Sequence, residues 1–305
     1  VFCQRFSADG RRLWGLGGVQ AATSNRIMQP PLAVADGNDG LLVFWQDIRH
    51  PSRGAGTVTF RGQHLGPDGS RLWGDEGRIV YMPRLPRNFG SLPPFDLVSD
   101  GSGGAILAFD DWPGPPSPID TERMVIVQRV SGDGDNLWGS GGLVVTAGAL
   151  LDSLIAGHDG GAFVGVITFD SNYSTRLAFH RITADGRSIW PAEGVSVVDP
   201  AVADGQDEVQ AFGSFDGGVL RLVWMHYVPV FRYEIRFGAL DADGHRLADA
   251  AGIRLAPADT QKDLAGFAFN PETGTVFAAW GRFEFDDPYN SDVHGAVYAS
   301  PLPSR

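Results

Sequence analysis

MVIVQRVSGDGDNLW, residues 124–138, reads as an alternating strand, an Asp-Gly turn and a large aromatic, and the chain keeps repeating it. Near-copies run VFCQRFSADGRRLW (1–14), VTFRGQHLGPDGSRLW (58–73), LAFHRITADGRSIW (177–190) and IRFGALDADGHRL (235–247). Their turn aspartates, Asp9, Asp68, Asp133, Asp185 and Asp243, stand 59, 65, 52 and 58 residues apart. That interval is too long for one hairpin and suits a small sheet, so internal repetition decides the fold.

A second hairpin alternates with the first: PLAVADGNDGLLVFWQD (31–47), with relatives at 95–111, 152–170, 208–224 and 263–280. Its apolar runs are nearly continuous, the mark of strands buried on both faces, whereas the QR-type strands alternate and are expected further out. After each Leu-Trp or Ile-Trp of the internal copies comes a short run, GRIVY (77–81), GLVVT (142–146) or GVSVV (194–198), and GIRL (252–255) follows the fifth turn. These runs supply a fourth strand. Asp-Gly pairs suit both hairpin positions because such turns need positive φ. No segment has a sustained helical period. The class is all-β, a β-propeller of four-stranded antiparallel blades, five from the five inner hairpins, with six as the alternative. Residues 1–305 are expected to form a single domain that starts and ends mid-blade.

Third-strand segments number six, counting residues 1–6 and HGAVYAS (294–300). Either the N-terminal hairpin completes the final blade and the C-terminal strand is extra or swapped into place, or a sixth blade has lost its first two strands. Trp14, Trp73, Trp138 and Trp190 recur at one place in the repeat and are expected to be buried between blades. The fifth copy has Ala248 there.

Hydrophobic residues make up 43% and charged residues 20%, enough apolar surface for a sizeable core. With 24 basic against 36 acidic side chains the net charge is −12, which repels a phosphate backbone, and no basic patch breaks the pattern. Nucleic acid is excluded as a partner. No apolar run reaches the roughly 20 residues that span a bilayer. Cys3 is the only cysteine, so an internal disulfide and a cysteine zinc site are excluded. The chain opens at Val1 inside a repeat and without Met, which predicts an upstream segment.

The turns SADGRRLW (7–14), SGDGDNLW (131–138) and TADGRSIW (183–190) resemble the Asp box of sialidase-type propellers, with Gly directly after Asp and Leu or Ile where the box has Thr. The whole repeat is similar to uncharacterised repeats in secreted bacterial propeller proteins. The resemblance implies the propeller fold and an extracellular, cell-surface or periplasmic setting. It carries no catalytic residue across, because Asp boxes are structural.

Function is expected on the long, varied loops at one end of the blades. Trp112, His226, Tyr227, Phe231 and Tyr289 lie in such stretches, and exposed aromatics there suit a glycan or a protein partner. Carboxylates also gather at the starts of the inner strands: Asp96, Asp152, Asp207 with Glu208, and Asp263. They point to oxygen ligands for a hard cation such as Ca²⁺, no other cofactor being expected, or to an acid and base. HExxH, Walker, GxSxG and GxGxxG patterns are absent, and DADG at 241–244 lacks the distal Glu of a calcium loop. The main expectation is a non-catalytic extracytoplasmic binding or scaffold module. The alternative is a glycoside hydrolase of the five-bladed propeller type using inner-strand carboxylates.

Overall fold

Each repeat closes into a sheet whose strands lie side by side in chain order, as a computed structural model shows for residues 1–23, 27–28, 31–49, 57–83, 94–111, 123–169, 174–199, 208–228, 232–247, 250–258, 261–284 and 287–299. A two-stranded sheet, β1 (Phe2–Cys3) with β2 (Val19–Gln20), comes first. In the next sheet β3 (Ile27–Met28) and β4 (Leu32–Ala35) both pair with β5 (Leu41–Arg49), followed by β6 (Thr57–Leu65) and β7 (Arg78–Tyr81). Then come β8 (Phe95–Ser99), β9 (Ala105–Asp111), β10 (Met124–Val130) and β11 (Leu143–Ala147). The fourth sheet holds β12 (Ala149–Ala156), β13 (Ala162–Phe169), β14 (Thr175–Ile182) and β15 (Val195–Ser196). The fifth holds β16 (Glu208–Phe215), β17 (Val219–Val228), β18 (Arg232–Asp241) and β19 (Ile253–Ala256). The last is β20 (Gln261–Asn270), β21 (Thr275–Glu284) and β22 (Asp287–Ala299). All the pairings are antiparallel, and the fold is the all-β propeller type, its five larger sheets being the blades. No helix among the described residues is long and apolar enough to cross a membrane.

β22 takes the third place in the last sheet, beside β21. The C-terminal strand is therefore not extra, and the reading in which the N-terminal hairpin fills that place is corrected.

Two compact units divide the chain: Val1–Gly148 with the turn tips Asp159–Gly161 and Ala184–Gly186, and the remainder. In the first unit Phe60 stacks on Phe109 at 4.4 Å, and Leu42, Phe44, Trp73, Leu107 and Ile126 share their core. In the second, Phe163, Phe179, Trp190, Leu222 and Trp224 form one core and Val223, Phe237, Leu264 and Trp280 another.

The repeat signature is a latch on the next turn. Trp14, Trp73, Trp138 and Trp190 are only 6–7% exposed. Their indole N–H groups donate to the carbonyls of Pro67 (2.9 Å), Gly132 (2.9 Å), Ala184 (3.1 Å) and Ala242 (3.1 Å). A basic side chain nine residues earlier reaches the same carbonyl: Arg5 at 3.2 Å, His64 at 2.8 Å, Arg129 at 3.1 Å and Arg181 at 2.8 Å. The Gln before it accepts from the Trp backbone N–H in Gln4, Gln63 and Gln128. This strand stands third in its sheet, further out than the apolar strand before it as its alternation suggested, yet Gln63 and Gln128 are fully buried.

Candidate functional site

The inner strands β12, β16 and β20 begin three successive sheets of the second unit, and β16 packs against both of the others. Each carries one extra residue relative to its partner strand. β12 pairs through Leu151 and then Ser153, leaving Asp152 out of the ladder. β16 pairs Val209 with Met225 and then Phe212 with Val223, so Gln210 and Ala211 share one place. β20 pairs Leu264 and then Gly266, skipping Ala265. A bulge leaves backbone amides without ladder partners, and buried amides need them. On β16 the partner is Asp152: its Oδ1 accepts from the Gln210 N–H at 2.7 Å and its Oδ2 from the Ala211 N–H at 2.9 Å.

Carboxylate positions cluster at these bulges. Glu208 opens β16, opposite His226 of β17. Asp263 lies opposite Gly281, immediately before Leu264, and is exposed. Across the next ladder His226 faces Glu234 of β18. Glu234 is held by Arg236 at 2.8 Å and Arg254 at 3.3 Å. His226 is 2% exposed and Tyr227 half-buried, its ring edge-on to Tyr233 at 5.5 Å. Both lie within β17, not on an exposed loop as expected; the run VLRLVW simply continues as strand through Val228. Tyr289 likewise falls in β22, with its side chain outside the described residues, as is that of Glu208. Trp112, Asp207 and Phe231 lie outside the described residues altogether.

Asp96 belongs to the first unit, where its Oδ1 accepts from the Leu97 N–H at 2.7 Å. Other buried charges there escaped the sequence reading: Asp47 pairs with Arg61 at 3.0 Å, and the Tyr81 hydroxyl donates to Asp111 at 2.5 Å. The Trp-x-Asp and Phe-x-Asp strand endings were the available signal. At the hairpin turns Asp36 meets His64 at 2.9 Å and Asp100 meets Arg129 at 2.9 Å. Burial pushes the Asp100 carboxyl up, but the Ser102 amide and hydroxyl, the Gly104 amide and Arg129 outweigh it and hold the group below the usual carboxylate range. Asp36 is lowered in the same way, burial being outweighed by His64 and the Asn38 and Gly40 amides. An open groove of about 610 Å³ runs past Arg61, Arg78, Ile79, Asp135 and Asn136 and contains none of the residues the sequence singled out.

Asp241, Asp243 and His245 bring their ligand atoms within 4.8 Å of one another on the turn after β18. Asp241 Oδ1 already accepts from the Asp243 and His245 amides, at 2.9 and 2.8 Å, which is the turn-capping role that Ser7, Ser131 and Thr183 perform in other copies.

No family model matches the chain, and no curated protein does. Solved structures do. An ulvan lyase, described as a new family of polysaccharide lyase and bound to -[GlcA(1-4)Rha3S]-, matches with TM-score 0.51 at 12% identity over 89% of this chain and 64% of its own. An endo-arabinase from Bacteroides thetaiotaomicron matches with TM-score 0.40 at 14% identity over 93% and 97%. An α-L-arabinanase from Penicillium chrysogenum, complexed with arabinobiose, matches with TM-score 0.47 at 12% identity over 86% and 80%. Identities this low show the fold, a β-propeller. The ulvan lyase, similar in fold, is named as an enzyme of polysaccharide breakdown, and with this finding the expectation of a non-catalytic binding or scaffold module is corrected.

Proposed function

We propose that the protein is a polysaccharide-active enzyme, a glycoside hydrolase of the five-bladed propeller type, acting outside the cytoplasm. The observation that carries this reading is the series of carboxylates at the bulges of three neighbouring inner strands: Asp152 on β12, Glu208 on β16 and Asp263 on β20. Glycoside hydrolysis needs one carboxylic acid to protonate the leaving oxygen and one carboxylate to activate water or attack the anomeric carbon. Asp152 has both oxygens engaged by the Gln210 and Ala211 amides, which suits it to holding the frame. Glu208 and Asp263 are left as the acid and base, with Tyr227 and the aromatics Trp112, Phe231 and Tyr289 as platforms for sugar faces. Placement on strands rather than loops favours the rigidity that such a pair requires.

The test is a panel of polysaccharides, arabinans and uronate-containing chains among them, assayed for new reducing ends and for the ultraviolet absorbance of an unsaturated uronide. Reducing ends without that absorbance are expected, and Glu208→Gln or Asp263→Asn should each lower kcat by about 10²–10⁴-fold. The anomer released first then reports the separation of the two carboxyl groups. Absorbance accompanying cleavage would replace hydrolysis by lyase chemistry. Full turnover by both variants would remove these residues from the reaction.

A further inference from the structure

We infer that Asp152 is the positioning residue of the site, fixing by its clamp on the β16 bulge where Glu208 stands in the ladder. The inference deepens the hydrolase reading and rests on it for the role of Glu208. Its geometry stands apart from that reading. The bulge on β16 sets two residues, Gln210 and Ala211, against the single Trp224. Gln210 adopts φ of 56°, a left-handed backbone that an L-residue other than glycine rarely takes and that persists only where its surroundings hold it. The holding group is the Asp152 carboxylate, which reaches from the neighbouring inner strand and straddles two successive amides at 2.7 and 2.9 Å.

Register makes the clamp matter. With the bulge, Glu208 lies opposite His226. Without it, continuing the ladder back from the Phe212–Val223 pair puts Val209 opposite His226 and Glu208 opposite Tyr227. A shift of one place moves every residue before the bulge to the other face of the sheet. Residues after the bulge are untouched, so the core made by Phe215, Leu220 and Leu222 stays in place while Glu208 changes its place in the ladder. Asp152 thus acts on the reaction through Glu208 without needing to touch substrate.

The experiment uses the whole chain with Asp152→Asn, Gln210→Gly and the two combined. Asn keeps one acceptor for the Gln210 amide but turns an NH₂ toward that of Ala211, so the clamp fails without a change of size. Gly at 210 takes the left-handed backbone freely, so the bulge no longer depends on being held. Hydrogen exchange at the amides of 210 and 211 is expected to be slow in the parent and fast in Asp152→Asn. The combined variant should regain protection at 211 relative to Asp152→Asn. On the polysaccharide found to be cleaved, Asp152→Asn should lose about 10²-fold in kcat with KM little changed, and the combined variant should recover most of it. Glu208→Gln should not be recovered by Gln210→Gly. Unchanged exchange at 210 and 211 in Asp152→Asn would overturn the clamp. Fast exchange with undiminished kcat, or kcat lost and not recovered in the combined variant, would overturn the positioning role. If the parent cleaves nothing, the hydrolase reading and the role of Glu208 fall together, and the exchange data alone then decide whether the clamp exists.

Discussion

Replacing Trp138 tests whether the repeated aromatic is packing, hydrogen bonding or both. Its ring is 7% exposed, its N–H donates to Ala184 at 3.1 Å, and a Cβ built on Gly186 would stand 2.9 Å from the indole. Trp138→Phe deletes the donor but leaves the Ala184 carbonyl its second partner, Arg129 at 3.1 Å. No acceptor is orphaned, so the cost is about 1 kcal/mol for the bond and about 1 kcal/mol for the smaller ring. Trp138→Ala empties the site and should cost about 3–5 kcal/mol. The sharper measurement is the double-mutant cycle with Arg129→Met. Loss of the Asp100 pair is common to both arms and cancels, whereas the Ala184 carbonyl loses its last side-chain donor only in the double variant. Leaving that acceptor bare adds about 1–3 kcal/mol beyond the sum of the single changes. Urea titrations followed by far-ultraviolet circular dichroism read this directly. Additivity within about 0.3 kcal/mol would refute the shared-carbonyl latch.

Gly77→Ala should destabilise the first unit by more than about 1 kcal/mol, because Gly77 holds φ of 64° and a Cβ there would collide with the Gly62 carbonyl; a thermal melt equal to the parent's would contradict it. Tyr81→Phe should cost about 1.5–3 kcal/mol by removing a hydroxyl donor from the buried Asp111 carboxylate, read as a lower urea midpoint with an unchanged slope. Stability should also fall on acidification, in two stages. Burial, only partly offset by Glu193, lowers the His180 pKa, so the folded state resists the charged ring and loses stability as pH drops below the ordinary imidazole range of about 6.5. Asp100, its carboxyl held low, contributes stability above its unfolded value that is lost as pH falls through the lower folded one. Melting midpoints across pH should show His180→Gln flattening the upper stage and Asp100→Asn the lower; a parent profile flat from neutral to acid would refute both.

How far the sequence disclosed this molecule depends on which residues repeat. The Asp-Gly turns, the glycine opening each fourth strand and the buried tryptophans recur at corresponding places, and each does the same physical work wherever it stands, so strand order and blade class were legible. Gln63 and Gln128 were visible as a repeated letter, yet their burial was not, since a Gln in an alternating strand reads as solvated until its partner at the Trp backbone is known. The bulges were illegible for a stronger reason. One extra residue on β12, β16 or β20 exists only relative to the partner strand, and no periodicity within a single strand records it. His226 and Tyr227 were misplaced onto a loop because the polar residues after VLRLVW look like a strand end, whereas pairing with β18 carries the strand on to Val228.

The fifth copy supplies an internal comparison for the latch. In the four copies that keep Trp, an arginine or histidine stands nine residues earlier: Arg5, His64, Arg129 and Arg181. In the fifth, Ala248 stands at the Trp position and Ala239 at the Arg or His position. Had the two side chains contributed independently, losing one would not require losing the other, since an arginine alone still satisfies a carbonyl. Their joint replacement is what a shared acceptor predicts. Each donor is worth about 1 kcal/mol while the other is present, and the arrangement as a whole is worth keeping only where a turn carbonyl offers itself to both. His64 extends the argument: both its ring nitrogens face acceptors, Gly132 O at 2.8 Å and Asp36 Oδ2 at 2.9 Å, so a side chain much shorter than Arg still links one hairpin turn to the next through the same carbonyl. What the repeat preserves is therefore the doubly used acceptor, and the identity of the second side chain follows from how far it has to reach.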